Sequence, residues 1–351
     1  MQNNINIHNL IHNRIKQNGS ISFSEFMEMA LYTPYYGYYS QENINIGAKG
    51  DFTTACEISP LFGQTVANAI TCDSILELGA GSGKLAGTII KSINPKKYYI
   101  LERSAFLRNQ QQQYLASLNI HNVEWLDELP KSFKGSIIGN EVLDAIPVDV
   151  WQYDYLNNKW QARYIKLSKD EELEWVNIDI NNKINIPQEI LECGINDDDI
   201  YTYNNIKYVT ESHCRTNFLL NSLANMHHSG QMIWIDYGFL THEYFHPQRN
   251  MGTIMCYHQH KANTNPLINI GKQDISCHVN FSLVQDTLIN KNYCIDYFDS
   301  QARFLIDYGI LDLLNKQLRS DQYLSIAKQA QVLLSEAEMG ALFKVLVCSK
   351  S

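Results

Sequence analysis

No two of the eight cysteines, at 56, 72, 193, 214, 256, 277, 294 and 348, stand in a Cys-x-x-Cys pair. That absence removes the usual zinc and disulfide frameworks. With several thiols inside apolar runs, the chain reads as a protein of a reducing compartment, the cytoplasm. Positive charge is scarce as well: 28 Lys and Arg against 37 Asp and Glu leave a net charge of −9. A nucleic-acid backbone, which needs a basic face, is therefore not expected as the main partner, and a cationic one fits better. No apolar run approaches the ~20 residues of a membrane-crossing helix, so no membrane insertion is expected. The first residues show no apolar core followed by a small-residue cleavage site, and Arg14 and Lys16 are too few basic residues for a mitochondrial presequence. Ile7, Leu10, Ile11 and Ile15 instead recur at helical spacing and predict a packed helix. Internal repeats and low-complexity tracts are missing too. With 45% hydrophobic and 19% charged residues in 351, the chain is globular, with one sizeable core plus insertions.

Against these absences stands Ser74-Ile75-Leu76-Glu77-Leu78-Gly79-Ala80-Gly81-Ser82-Gly83-Lys84-Leu85, an apolar run that breaks into alternating glycines and then into helical spacing. It predicts strand, tight turn and helix, with glycine needed where the turn reaches φ > 0 and where a nucleotide-like ligand approaches the backbone. The spacing is Gly-x-Gly-x-Gly, not the Gly-x-Gly-x-x-Gly that seats a pyrophosphate. Glu77 is expected to point to the ligand side of the turn, where its charge suits the cationic amino-acid end of S-adenosylmethionine better than a phosphate. Lys97 to Glu102 reads as the next strand, closing in an acid ~20 residues after the glycines, the position from which a carboxylate can bond both ribose hydroxyls. Gly79, Gly81, Gly83 and Glu102 are thus cofactor candidates; the plain alternative is a tight strand-to-helix turn.

Along the chain, Ser22 and Glu25 are spaced as a capping box before a second helix. Tyr32 to Tyr39 and Gly47 to Thr54 form a long aromatic and glycine-rich loop, expected to cover the ligand, with Asp51 inside it. Helix 59–71 leads into an alternation of strand 74–78, helix 83–93, strand 97–102, helix 104–118, strand 122–126 and strand 135–139. Strand alternating with helix predicts a parallel sheet covered on both faces, whose ligands gather at the carboxyl ends of the strands. Glu102, Asp127 and Asn140-Glu141 would meet there, Asn140 and the loop residue Asp51 as further cofactor contacts, Asp127 at the depth of an adenine amino group or as a plain surface turn acid. Residues 148 to 178 carry aromatics between turns and predict a β-meander insertion. Strands at 231–238, 293–298 and 342–348 and helices at 214–228, 281–290 and 301–336 resume the core. The organisation expected is 1–72 N-terminal helices and loop, 73–147 first core half, 148–208 insertion and 209–351 second core half.

The chemistry is expected in Asn140-Glu141-Val142-Leu143-Asp144-Ala145-Ile146-Pro147, where an acceptor would be held. Carboxylates three residues apart, Glu141 and Asp144, suit the planar fork of a guanidinium, with Asp236 as a supporting acid; the alternative is a helix cap and a solvated acid. His242-Glu243-Tyr244-Phe245-His246 matches the zinc-protease pattern, but Gly238 and Pro247 leave too short a helix to align both imidazoles. No metal is expected.

Taken together, Pro34 to Tyr39, Gly50 to Thr54, Glu77 to Gly83, Asn140 to Pro147, Ile235-Asp236-Tyr237-Gly238, Gly252-Thr253 and Gln301 with Phe304-Leu305 resemble the MidA family of class I S-adenosylmethionine-dependent methyltransferases, over nearly the whole chain. The family's mitochondrial member is a protein arginine methyltransferase required for respiratory complex I assembly. The resemblance implies an α/β, Rossmann-like fold with a seven-stranded, mostly parallel sheet whose last strand is antiparallel, a helical N-terminal cap and a β-rich insertion. It further implies S-adenosyl-L-methionine as methyl donor and a protein substrate with an accessible arginine. The chain departs from the family at Cys56, where proline is common, and across Asp274 to Asn280. The competing readings are a non-catalytic assembly factor on the same fold and, more remotely, a zinc hydrolase.

Overall fold

The main sheet has eight strands among the described residues, seven of them on one continuous path: β1 (Ser74–Leu78), β2 (Lys97–Leu101), β3 (Val123–Leu126), β4 (Phe133–Asn140), β5 (His227–Phe239), β6 (Cys294–Ser300) and β7 (Phe343–Lys350), with the two-residue strand Val279–Asn280 pairing off that path. The structure is a computed structural model and describes residues 6–41, 53–180, 184–195, 207–319 and 321–351. β1 pairs in parallel with β2 and β4, β2 with β3, and β4 with β5, while β7 runs antiparallel between β5 and β6. The order across the sheet is β3-β2-β1-β4-β5-β7-β6. Strand order therefore reverses between β1 and β4, and the crevice above such a switch point is where doubly wound sheets bind ligands.

Period-two alternation decides what each strand buries. Ile75, Tyr98, Ile100, Ile138, Ile233, Ile235, Val345 and Val347 join one cluster with Leu61, Phe62 and Val66 of helix Pro60–Ala69, Leu85 and Ile89 of helix Lys84–Ile93, and Phe304 and Leu305. Leu76, Ile137 and Trp234, one residue out of phase, are fully buried as well, as expected of strands covered on both faces. The helices start where the chain supplies caps. Ser59 caps Pro60–Ala69, which has proline in its first turn, and the Ser104 hydroxyl oxygen accepts from the Leu107 N–H at the head of helix Ala105–Ser117. Helix Lys84–Ile93 starts from left-handed Gly83 and ends on left-handed Asn94. Among the described residues the stretch 301–336 holds three helices, Gln301–Asp307, Ile310–Asn315 and Tyr323–Leu334.

The sheet belongs to a compact unit of Asn45–Asp144, Leu220–Gly238 and Gln285–Ser351; Met1–Ile44, Ala145–Leu219 and Phe239–Val284 form a second unit. Residues 239–284, expected in the second core half, thus group with the N-terminal helices and the insertion. In that second unit helix Ile7–Asn18 precedes helix Phe23–Tyr32, where Ser22 accepts from the Glu25 N–H at 3.2 Å. The Glu25 carboxylate accepts from Arg14 Nε at 2.5 Å. The insertion is an antiparallel meander of Asp149–Asp154, Lys159–Leu167 and Leu173–Asp179, widened by Ile21–Ser22 and Lys207–Ser212 into a five-stranded sheet. Phe23 stacks on Trp175 at 5.1 Å. The loop segment 42–52, with Asp51, lies outside the described residues.

One contact at the amino end of β5 allows no side chain. Gly230 (φ +122°) pairs with Gly135, and a Cβ on it would stand 2.0 Å from the Gly135 carbonyl oxygen. Backbone cannot yield as a side chain can, so Gly230→Ala is expected to cost about 3 kcal/mol or more and to lower the urea midpoint. An unchanged midpoint would mean that the β4–β5 register is wrong.

Candidate active site

The turn leaving β1 is left-handed at Gly79, Gly81 and Gly83, with φ of +58°, +52° and +80°. Gly79 N–H donates to the Leu101 carbonyl at 3.0 Å and Gly83 N–H to the Ala80 carbonyl at 2.8 Å, which ties the turn to the end of β2. On its other side Glu57, with a side chain only 6% exposed, accepts from the Ser82 hydroxyl and lies 2.5 Å from Lys84 Nζ. A carboxylate of the chain itself thus stands beside the helix start that would otherwise attract a phosphate.

Glu102 closes β2 as expected and is held from two directions. One oxygen accepts from the Ser104 N–H at 2.9 Å, the other from the Gln111 side-chain amide at 3.0 Å. Gln111 is fully buried; its Nε2 also donates to the Gly81 carbonyl at 3.0 Å, and its Oε1 accepts from Trp125 Nε1 at 2.9 Å. One amide thereby joins the glycine turn, the acid at the end of β2 and strand β3. Burial raises the Glu102 carboxyl above its ordinary value, against the bonds from Ser104 and Gln111 that lower it.

Glu77 does not face the crevice openly. Two residues on from Ile75, it shares the face of β1 that packs under the helices; it is 2% exposed and accepts from the Tyr98 hydroxyl at 2.6 Å. Burial pushes its carboxyl up to about 7, more than the Tyr98 bond lowers it. Asp127 is also differently placed: its side chain is 89% exposed and paired with Arg108 Nη1 at 2.8 Å, the surface turn acid of the plainer alternative. That follows from its position after edge strand β3.

The loop after β4 is organised by Asp236 of β5. Its Oδ2 accepts from the N–H groups of Val142, Leu143 and Asp144 at 3.1, 2.9 and 3.2 Å, and Glu141 N–H donates to the Ile235 carbonyl at 2.8 Å. Burial first, then the Asp144 and Glu141 carboxylates, raise the Asp236 carboxyl well above the usual range. At 1% exposure Asp236 holds the loop from within the core. Asp144 is likewise turned inward, 6% exposed, with the Tyr237 hydroxyl donating to its Oδ2 at 2.6 Å. Of the two acids expected to share a guanidinium, Asp144 is thus the buried one, engaged by Tyr237. Glu141, half-buried and left-handed at φ +53°, is the acid presented at the crevice. Asn140 ends β4 beside it, its Nδ2 donating to Glu141 Oε1 at 3.3 Å and its Oδ1 buried without a partner among the described residues. Near Glu141, burial pushes the Cys56 thiol up to about 12. In the other unit the helix of the His-Glu-x-x-His stretch is only Thr241–Tyr244, so it offers no sustained face for His242 and His246.

A family model for S-adenosyl-L-methionine-dependent methyltransferases matches residues 64–298. The chain belongs to this family. A crystal structure from Burkholderia thailandensis bound to S-adenosyl-homocysteine is 33% identical, covers 98% of this chain and 92% of that one, and superposes with a TM-score of 0.89. Among curated proteins, a mitochondrial protein arginine methyltransferase NDUFAF7 homolog of Caenorhabditis elegans is 26% identical over 94% of this chain and 83% of its own. Its Drosophila melanogaster counterpart is 24% identical over 95% and 82%.

As a class I methyltransferase fold, this sheet takes S-adenosyl-L-methionine as donor, and the crevice residues suit it. A left-handed glycine turn admits the ligand, Glu57 disfavours a phosphate, and Glu102 keeps lone pairs for a ribose diol. Gln111 and Glu57 were not read from the sequence: Gln111 sits within four consecutive glutamines and Glu57 in an unremarkable acid position, and only the fold selects them. Because the Glu77 carboxyl binds its proton more tightly when folded, the folded chain carries more protons between about pH 4.5 and 7. Stability is therefore expected to fall as pH rises through that window, by at most about 1.4 kcal/mol per pH unit. Glu77→Gln should flatten that fall in urea titrations; an unchanged slope would show that Glu77 is not the group responsible.

Proposed function

We propose that the protein methylates an arginine side chain in a protein substrate. The carrying observation is acidic crowding at the loop after β4, where the buried Asp236 carboxyl, Asp144 and the presented Glu141 stand close enough for each to raise the Asp236 proton affinity. Such a corner is stabilised by an entering cation and repels an anion. The names of the curated relatives support arginine as that cation. Bound S-adenosylmethionine supplies a sulfonium methyl whose carbon–sulfur bonding pair stays on sulfur as the acceptor nitrogen's pair forms the new bond. The chain's part is alignment and charge: arginine holds its protons at pKa > 12, so Glu141 orients the guanidinium and is placed to take the proton that nitrogen gives up. Glu102, Gly79, Gly81 and Gly83 hold the donor in this scheme, with Glu57 and Gln111 fixing the turn around it.

Purified protein given methyl-labelled S-adenosylmethionine and cell lysate should yield methylarginine on acid hydrolysis of labelled protein. Glu102→Ala should weaken S-adenosylhomocysteine binding by about 10- to 100-fold in calorimetry, the loss of charge-assisted hydrogen bonds. Glu141→Gln should leave that binding within about twofold and slow labelling about 100-fold. Label on another residue type would overturn arginine as acceptor, and cofactor binding without any transfer would favour the non-catalytic platform.

A further inference from the structure

The amide of Asn140 is oriented by its neighbour. A carboxylate only accepts, so the bond to Glu141 Oε1 at 3.3 Å fixes Nδ2 toward Glu141 and leaves Oδ1 on the other side. That oxygen is buried and has no hydrogen-bond partner among the described residues. Buried acceptors are almost always satisfied, and one that is not, at the carboxyl end of a central strand beside the switch point, awaits a donor from a ligand. Backbone on both sides holds it: Asn140 is in register with Ile235, and Glu141 N–H donates to the Ile235 carbonyl at 2.8 Å. The neighbouring residue to the amino side is immobile as well, since Gly139 packs so closely under Trp234 that a Cβ there would stand 2.4 Å from the indole.

We infer that Asn140 contacts the acceptor, its Oδ1 accepting a hydrogen bond from an N–H of the guanidinium nitrogen that receives the methyl group while Glu141 holds the charge and takes the departing proton. This replaces the expectation that Asn140 belongs to the cofactor, and it rests on the arginine assignment above. A guanidinium is a fork of five N–H donors without an acceptor, and Oδ1 and the Glu141 carboxylate are adjacent groups that can only accept from it. Asn140 supplies the fixed angle and Glu141 the charge; together they favour a planar donor pair over the single point charge of an ammonium.

Three variants, Asn140→Ala, Asn140→Asp and the exchange Asn140→Asp with Glu141→Gln, separate this role from others. Calorimetry with S-adenosylhomocysteine should give each variant an affinity within about twofold of wild type. Labelling of lysate protein at saturating S-adenosylmethionine should fall about 100-fold in Asn140→Ala, the effect of removing one aimed hydrogen-bonding group. In the exchanged variant one acceptor oxygen remains at 140 and the amide at 141 can donate back to it, so labelling should recover at least tenfold over Asn140→Asp alone. Tenfold weaker cofactor binding in Asn140→Ala, with labelling restored by excess cofactor, would return Asn140 to the donor site and overturn the inference. Labelling within threefold of wild type, or no recovery in the exchange, would overturn it as well. A wild-type protein that labels a residue other than arginine would instead overturn the acceptor assignment, a distinguishable outcome.

Discussion

One carboxylate oxygen receiving three consecutive backbone N–H groups holds the reacting end of this molecule together. Asp236 Oδ2 draws in the N–H groups of Val142, Leu143 and Asp144, and the loop after β4 has no freedom left once they are bound. The left-handed backbone at Glu141, unfavourable for a residue with a Cβ, persists because these bonds and the one to Ile235 over-determine it. Glu141 and Asn140 are presented at the switch point as a consequence, and Asp144 is turned inward for the same reason.

The donor side is built on the same economy of buried polar groups. Gln111 satisfies the glycine turn, Glu102 and Trp125 with one amide, and Glu57 closes the opposite flank through Ser82 and Lys84. Networks in which each member is bonded keep a site rigid in low dielectric, and rigidity is what a displacement governed by alignment requires. The chemistry is divided by charge: acids near the turn discourage phosphate, and acids near the loop favour a cationic acceptor.

Local pattern was enough to read the architecture. The glycine turn, the alternation of strand and helix, the meander and the Ser22 cap each depend on residues within a few positions of one another, and each stands where the sequence placed it. Site roles failed where they depend on distance in sequence. Asp236 meets its partners more than ninety residues away, and Asp144 is claimed by Tyr237 across the same gap. Glu77 misled for a different reason: period-two alternation from Ile75 already sets it on the face under the helices, yet its closeness to the glycines drew it toward the ligand. Gln111 was hidden because four adjacent glutamines look alike until a helix chooses which one faces inward.

This crevice selects a phosphate-free nucleoside donor with an amino-acid end. Parallel calorimetric titrations with S-adenosylhomocysteine, S-adenosylmethionine and ADP-ribose test it most directly. The first two should bind at about micromolar concentration, and ADP-ribose should give no heat at about a thousandfold higher concentration, a discrimination of roughly 4 kcal/mol. ADP-ribose binding as tight as that of S-adenosylmethionine would contradict it.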